Sequence, residues 1–82
     1  MKKTSLEEFK KSLGNKIKLR REELKLKQLD LAIRLGGKDK QTISRYEKSG
    51  ANPTIFNLIQ IAEALELTVH ELLEYEPLSD KT

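Results

Sequence analysis

Apolar residues recur along this chain at three- and four-residue intervals, and no stretch keeps the two-residue alternation of a half-buried strand. Leu6, Phe9, Leu13, Ile17 and Leu24 fall on one helical stripe. In front of it, Ser5-Leu6-Glu7-Glu8 reads as a capping box, serine at the N-cap and glutamate three residues on. Gly14 interrupts the stripe, and a glycine in a helix interior costs about 1 kcal/mol relative to alanine. Residues 5–25 therefore form one long helix or a short arm followed by a helix, and the arm is the preferred expectation. A second helix is predicted from about Gln28 to Leu35, with Leu31, Ala32 and Leu35 on one side. Gly36-Gly37 ends it, because glycine tolerates the left-handed backbone angles that follow a helix. Asp39 suits the N-cap of a third helix, about Lys40 to Lys48. Ser49-Gly50-Ala51-Asn52-Pro53 reads as a loop, and Thr54 caps a fourth helix with Leu58, Ile61, Ala62 and Leu65 facing inward. Thr68-Val69-His70-Glu71 is a second capping box; it opens a fifth helix to about Tyr75 that Pro77 stops.

Composition narrows the chemistry. A chain of 82 residues has room for one domain with a modest core, and association is a common remedy at that size. There is no cysteine, which excludes disulfides and thiolate metal sites and fits a reducing, cytoplasmic setting. The lone His70 cannot build a metal site without carboxylate help and reads as a surface or capping residue. Neither a metal nor a cofactor is expected. No apolar run approaches the length of a membrane span or a signal-peptide core, so no membrane association and no targeting signal are expected. Carboxylates are plentiful but fall on solvated helix faces, no nucleophile neighbours His70, and no Gly-rich phosphate loop is present. A chain this small cannot wall off a deep pocket, and an enzyme is not expected.

Charge is distributed unevenly. Residues 1–48 hold 15 Lys/Arg and 7 Asp/Glu, a net of +8, whereas residues 49–82 hold 1 Lys and 6 Asp/Glu, a net of −5. Such a split points to a basic face for a polyanion, with a plain solvated charge run as the alternative. The third helix locates that face. At 100° per residue, Ile43, Tyr46 and Glu47 cluster on one side, and Gln41, Ser44, Arg45 and Lys48 on the other. Glutamine can bond adenine through two atoms, and arginine can bond the acceptor edge of guanine. Ile43 and Tyr46 would fasten the helix to the body. An ordinary amphipathic surface helix would share this pattern.

Several motifs then occur in order: Leu26-Lys27-Gln28, Leu31-Ala32, Leu35-Gly36, Thr42-Ile43-Ser44-Arg45-Tyr46-Glu47, Asn52-Pro53-Thr54, and Ala62-Glu63-Ala64-Leu65 followed by Leu72-Leu73. Over about residues 13–73 the chain resembles the lambda-repressor/Cro (Xre) helix-turn-helix family. The resemblance implies an all-α, five-helix DNA-binding domain, residues 13–76, between a short N-terminal helical arm, 1–12, and a polar tail, 77–82. Its third helix would enter the major groove of double-stranded DNA. Gln28 matches the glutamine that holds phosphate and braces the recognition helix. Lys40, Gln41, Ser44 and Arg45 match base-facing positions, with Lys40 at the edge of the face assigned mainly to phosphate. Lys27, Lys38 and Lys48 add phosphate contacts, and Asn52 and Thr54 match backbone-contacting positions. Arg21 and Glu47 match positions that pair in a partly buried salt bridge.

Three departures from the family pattern stand out. Lys27 replaces the usual Ser or Thr, leaving the second helix without a side-chain N-cap. The turn Gly36-Gly37-Lys38-Asp39 is one residue longer than usual and lacks an apolar residue. Leu29 and Ile33 replace charged residues on the side away from Leu31 and Leu35; the arm with Leu6 and Phe9 covers them, a partner does, or they are exposed. The functional expectation is a homodimeric repressor on a near-palindromic operator, in the manner of a phage repressor or a restriction-modification controller. Phe56, Leu73 and Tyr75 are the expected dimer interface, unless Phe56 folds back on the fifth helix. The alternatives are an antitoxin that also neutralises a partner protein through Leu29 and Ile33, and a protein-interaction module on the same scaffold.

Overall fold

A computed structural model describes residues 5–49 and 54–74. Asn52, Tyr75, the Pro77 stop and the polar tail lie outside the described residues. Within them the chain forms α1 (Leu6–Glu23), α2 (Gln28–Arg34), α3 (Lys40–Ser49), α4 (Ile55–Ala64) and α5 (Val69–Leu73), with no strand among the described residues.

Local chemistry accounts for most of the boundaries. Ser5 Oγ accepts from the Glu8 N–H at 3.0 Å to start α1. Asp39 Oδ1 accepts from the Thr42 N–H at 2.9 Å to start α3. Thr54 and Thr68 open α4 and α5 with reciprocal boxes to Asn57 and Glu71. At α2 the lysine side chain has nothing to accept with. The start is held instead by Asp30, whose carboxylate accepts from the Lys27 N–H at 2.8 Å. Three helices end in the same paired motif. In α1 the Lys25 and Leu26 N–H groups return to Glu22 and Arg21, in α2 Gly36 and Gly37 return to Ile33 and Ala32, and in α4 Glu66 and Leu67 return to Glu63 and Ala62. This ending needs a left-handed residue. Gly36 fills that place in α2 at φ 89°, but Lys25 at 60° and Glu66 at 61° do so with a side chain attached.

The core joins Leu13 and Ile17 of α1, Leu31, Ala32 and Leu35 at α2, Ile43 and Tyr46 of α3, Ile61, Ala62, Ala64 and Leu65 at α4, and Leu72 of α5. Phe9, Leu24, Leu58 and Leu73 pack partly buried around it.

Two expectations require correction. The N-terminal arm is helical, but no break sets it off from the first helix, since α1 runs unbroken from Leu6 to Glu23. Gly14 lies within it because α1 crosses α3 there: a Cβ at Gly14 would stand 2.5 Å from the Glu47 carbonyl oxygen and 2.6 Å from that of Tyr46. Close packing, not a helix end, accounts for this glycine. Nor does the arm cover the apolar pair on α2. Leu29 and Ile33 are 54% and 62% exposed; Phe9, Leu13 and Ile17 of the continuous α1 pack on the core, and Leu6 is itself exposed rather than laid over α2.

Candidate nucleic-acid interface

The α2–turn–α3 unit presents α3 with its apolar side buried and its polar side open. Ile43 is fully buried and Tyr46 nearly so. Gln41, Arg45 and Lys48 are exposed, and Ser44 and Thr42 are half-buried. Spacings of three, four and seven residues put Gln41, Ser44, Arg45 and Lys48 on one stripe. Lys40 is exposed at the start of α3, Lys38 is half-buried in the turn before it, and Lys27 is exposed at the start of α2. Thr54 is exposed, but its hydroxyl is engaged as a cap, accepting from the Asn57 N–H at 3.1 Å. Any Thr54 contact with phosphate therefore falls to the backbone end of α4 or to the hydroxyl proton.

What holds α3 in place is a buried polar cluster. Arg21 donates from Nε to Glu47 Oε2 at 2.6 Å and from Nη2 to Glu47 Oε1 at 3.2 Å. Its third nitrogen, Nη1, donates to the Leu26 carbonyl at 2.7 Å. Gln28 Nε2 donates to Glu47 Oε1 at 3.1 Å. The two charged side chains are 11% and 5% exposed, so the pair is shielded from solvent. Bonding to Glu47 raises the Arg21 pKa above the ordinary arginine value, against the opposing effect of burial. One carboxylate thus ties α1, the entry of α2 and α3 together, and it fixes the half-buried Gln28 beside the exposed face.

Asp39 brings a negative charge to the start of α3. The Thr42 N–H, then the Thr42 hydroxyl, hold its carboxyl below the usual carboxylate range, with a smaller contribution from Arg45. That charge favours the helix N-terminus, and the surrounding lysines outnumber it.

Two residues went unnoticed in the sequence. Arg20 Nε donates to the Leu65 carbonyl at 2.9 Å, and Arg34 Nη1 donates to the Ala64 carbonyl at 2.9 Å and to Glu66 Oε2 at 3.3 Å. Guanidinium groups from α1 and α2 thereby satisfy the last carbonyls of α4 and complement the negative end of its dipole. The available signal was a cation on an apolar stripe, since Arg20 lies three residues from Ile17 and seven from Leu13.

Residues 17–72 match the family model described as helix-turn-helix. The chain belongs to this helix-turn-helix family. Among solved structures it is similar to the P22 c2 repressor in complex with a synthetic operator, at 31% identity over 78% of this chain and 96% of that one, with a TM-score of 0.69. It is also similar to the restriction-modification controller protein C.AhdI from Aeromonas hydrophila, at 26% identity over 76% and 92% of the two chains, with a TM-score of 0.69. The hypothetical transcription factor NHTF from Neisseria shares the fold, at 23% identity over 95% and 86% of the chains and a TM-score of 0.75. A comparison with curated proteins finds no match. The helix-turn-helix family is one of lambda-repressor-like DNA-binding transcriptional regulators and not of enzymes, and this chain is a DNA-binding transcriptional regulator. No helix among the described residues is long and apolar enough to cross a membrane.

Proposed function

We propose that the chain is a homodimeric repressor that reads a near-palindromic operator through α3 in the major groove. The observation that carries this reading is the two-sidedness of α3: Gln41, Arg45 and Lys48 are open, while Ile43 and Tyr46 are buried and Glu47 is bonded to Arg21 and Gln28. Gln41, Ser44 and Arg45 supply base choice. Lys27, Lys38, Lys40 and Lys48 neutralise phosphate, with Gln28, Thr54 and Asn52 as further backbone contacts. The similar P22 c2 repressor is itself seen with an operator, which supports the same use here.

A single α3 reads too few base pairs to define a site, and a two-fold dimer places two of them about one DNA turn apart. The surface that suits pairing is on α4, where Ile55, Phe56 and Ile59 are 76%, 65% and 39% exposed. Phe56 is thus not folded back on α5. Leu73 is half-buried at the edge of its own core, so it adds less to that surface than Phe56 does. An exposed apolar group of this kind marks a contact more often than an accident. Selection of bound duplexes from random DNA tests the reading. The expected product is one site with two-fold symmetry, and Arg45→Ala relaxes it at one or two positions in each half. Selection of no common sequence, or of an asymmetric single half-site, would overturn it.

A further inference from the structure

We infer that Gly14, on α1 rather than on the recognition helix, is a positioning residue for base recognition: it sets how deeply α3 is seated on α1. The inference rests on the proposal that α3 reads the operator. The approach at Gly14 is backbone to backbone. An added Cβ would lie 2.5 Å from the Glu47 carbonyl oxygen, 2.6 Å from the Tyr46 carbonyl oxygen and 2.9 Å from the Glu47 carbonyl carbon. None of these atoms can rotate aside as the end of a side chain would. Restoring an ordinary contact of 3.4 Å from 2.5 Å requires the helices to separate by about 0.9 Å at that point.

That displacement acts where it matters for reading. Tyr46 and Glu47 belong to the turn of α3 that also carries Arg45 and Lys48. Two turns further along α1, Arg21 holds the Glu47 carboxylate. Besides the apolar packing of Ile43 and Tyr46, the recognition helix is thus tied to α1 at the backbone contact of Gly14 and at the ion pair of Arg21. A methyl group at the first pivots α3 about the second. Hydrogen bonds to base edges tolerate only about 0.5 Å of variation in length, so a shift of this size breaks a two-point contact. Lysine contacts to phosphate are long, flexible and tolerant of the same shift. Base choice falls while affinity for DNA in general stays. A simple loss of stability behaves differently, because it removes folded molecules and lowers both affinities in the same proportion.

The experiment measures affinity at one salt concentration for two duplexes: the site selected from random DNA by the wild-type chain, and a scrambled duplex of equal length. Gly14→Ala is expected to weaken binding to the selected site about tenfold, the loss of one base contact, and to leave the scrambled duplex within about twofold. Leu72→Ala, a core change on α5 away from α3, is expected to keep the wild-type ratio of the two affinities. An unchanged ratio in Gly14→Ala overturns the inference. So does a chain that fails to fold even when Lys25→Gly relaxes the turn after α1, since Gly14 would then serve folding alone. Arg45→Ala, measured alongside, separates the two claims. If Arg45→Ala lowers the ratio and Gly14→Ala does not, Gly14 alone is wrongly assigned; if neither does, α3 is not the reader and the proposed function fails with it.

Discussion

Replacing Glu47 by alanine removes the acceptor on which three donors from two other elements converge. Arg21 loses bonds of 2.6 and 3.2 Å, and Gln28 loses one of 3.1 Å. Breaking a buried ion pair from one side costs about 3–5 kcal/mol, because the remaining charge is left desolvated. The lower end applies here. The Arg21 guanidinium keeps its 2.7 Å bond to the Leu26 carbonyl, and the Glu22 carboxylate, 3.9 Å away, can swing toward it. A loss of about 3 kcal/mol in a domain of this size lowers the melting temperature by about 12–24 °C. Thermal melts followed by circular dichroism, at one fixed protein concentration so that association does not shift the comparison, measure it. A double-mutant cycle with Arg21→Ala isolates the pair, and a coupling well above 1 kcal/mol is expected. If Glu47→Ala melts within a degree or two of the wild type, the pair is worth no more than a surface salt bridge, about 0–1 kcal/mol, and the reasoning from burial is wrong.

Lys25→Gly is expected to raise stability by about 1 kcal/mol in the same melts, since it relieves a left-handed residue at φ 60°; a lower melting temperature would mean that the Lys25 side chain contributes more than its backbone strain costs. The Asp39 and Glu71 carboxyls both have lowered pKa values, chiefly through backbone N–H bonds from Thr42 and Thr68. A depressed carboxylate stabilises fully above the unfolded value of about 4, and the effect is lost as pH falls through the lower folded value. The melting advantage of wild type over Asp39→Asn, present near neutrality, should therefore close on acidification below about pH 4; an advantage that persisted there would assign it to something other than charge. DNA affinity should fall with salt by about 0.9 log units per log unit for each phosphate neutralised, and a flat dependence would make the basic half a solvated surface only. Phe56→Glu should sediment as a monomer at micromolar concentration while keeping its helical signal; a variant as dimeric as wild type would move the interface off α4.

The helices were legible in the sequence wherever a boundary depends on a few neighbouring residues. Ser5, Asp39, Thr54 and Thr68 cap from their own positions, each accepting from an N–H three residues on, and such bonds need no partner from elsewhere in the chain. The stripes through Leu13 and Ile17, Leu31, Ile43 and Ile61 are equally local in origin, because helical period alone puts each set on one face. Much of the candidate interface follows in the same way, since the polar stripe from Gln41 to Lys48 is the complement of the apolar one. Contacts between distant segments were not legible. Gly14 reads as a weak point in a helix until the carbonyls of Tyr46 and Glu47 are seen against it. Nothing in the sequence around Arg20 and Arg34 points to their partners, because the end of α4 reaches them across 45 and 30 residues of chain. Leu29 and Ile33 read as covered by the arm, covered by a partner, or exposed, until the packing of α1 leaves them in solvent. Each of these depends on how whole helices pack, and packing responds to shape and unsatisfied backbone groups that no local pattern of apolar and polar residues encodes.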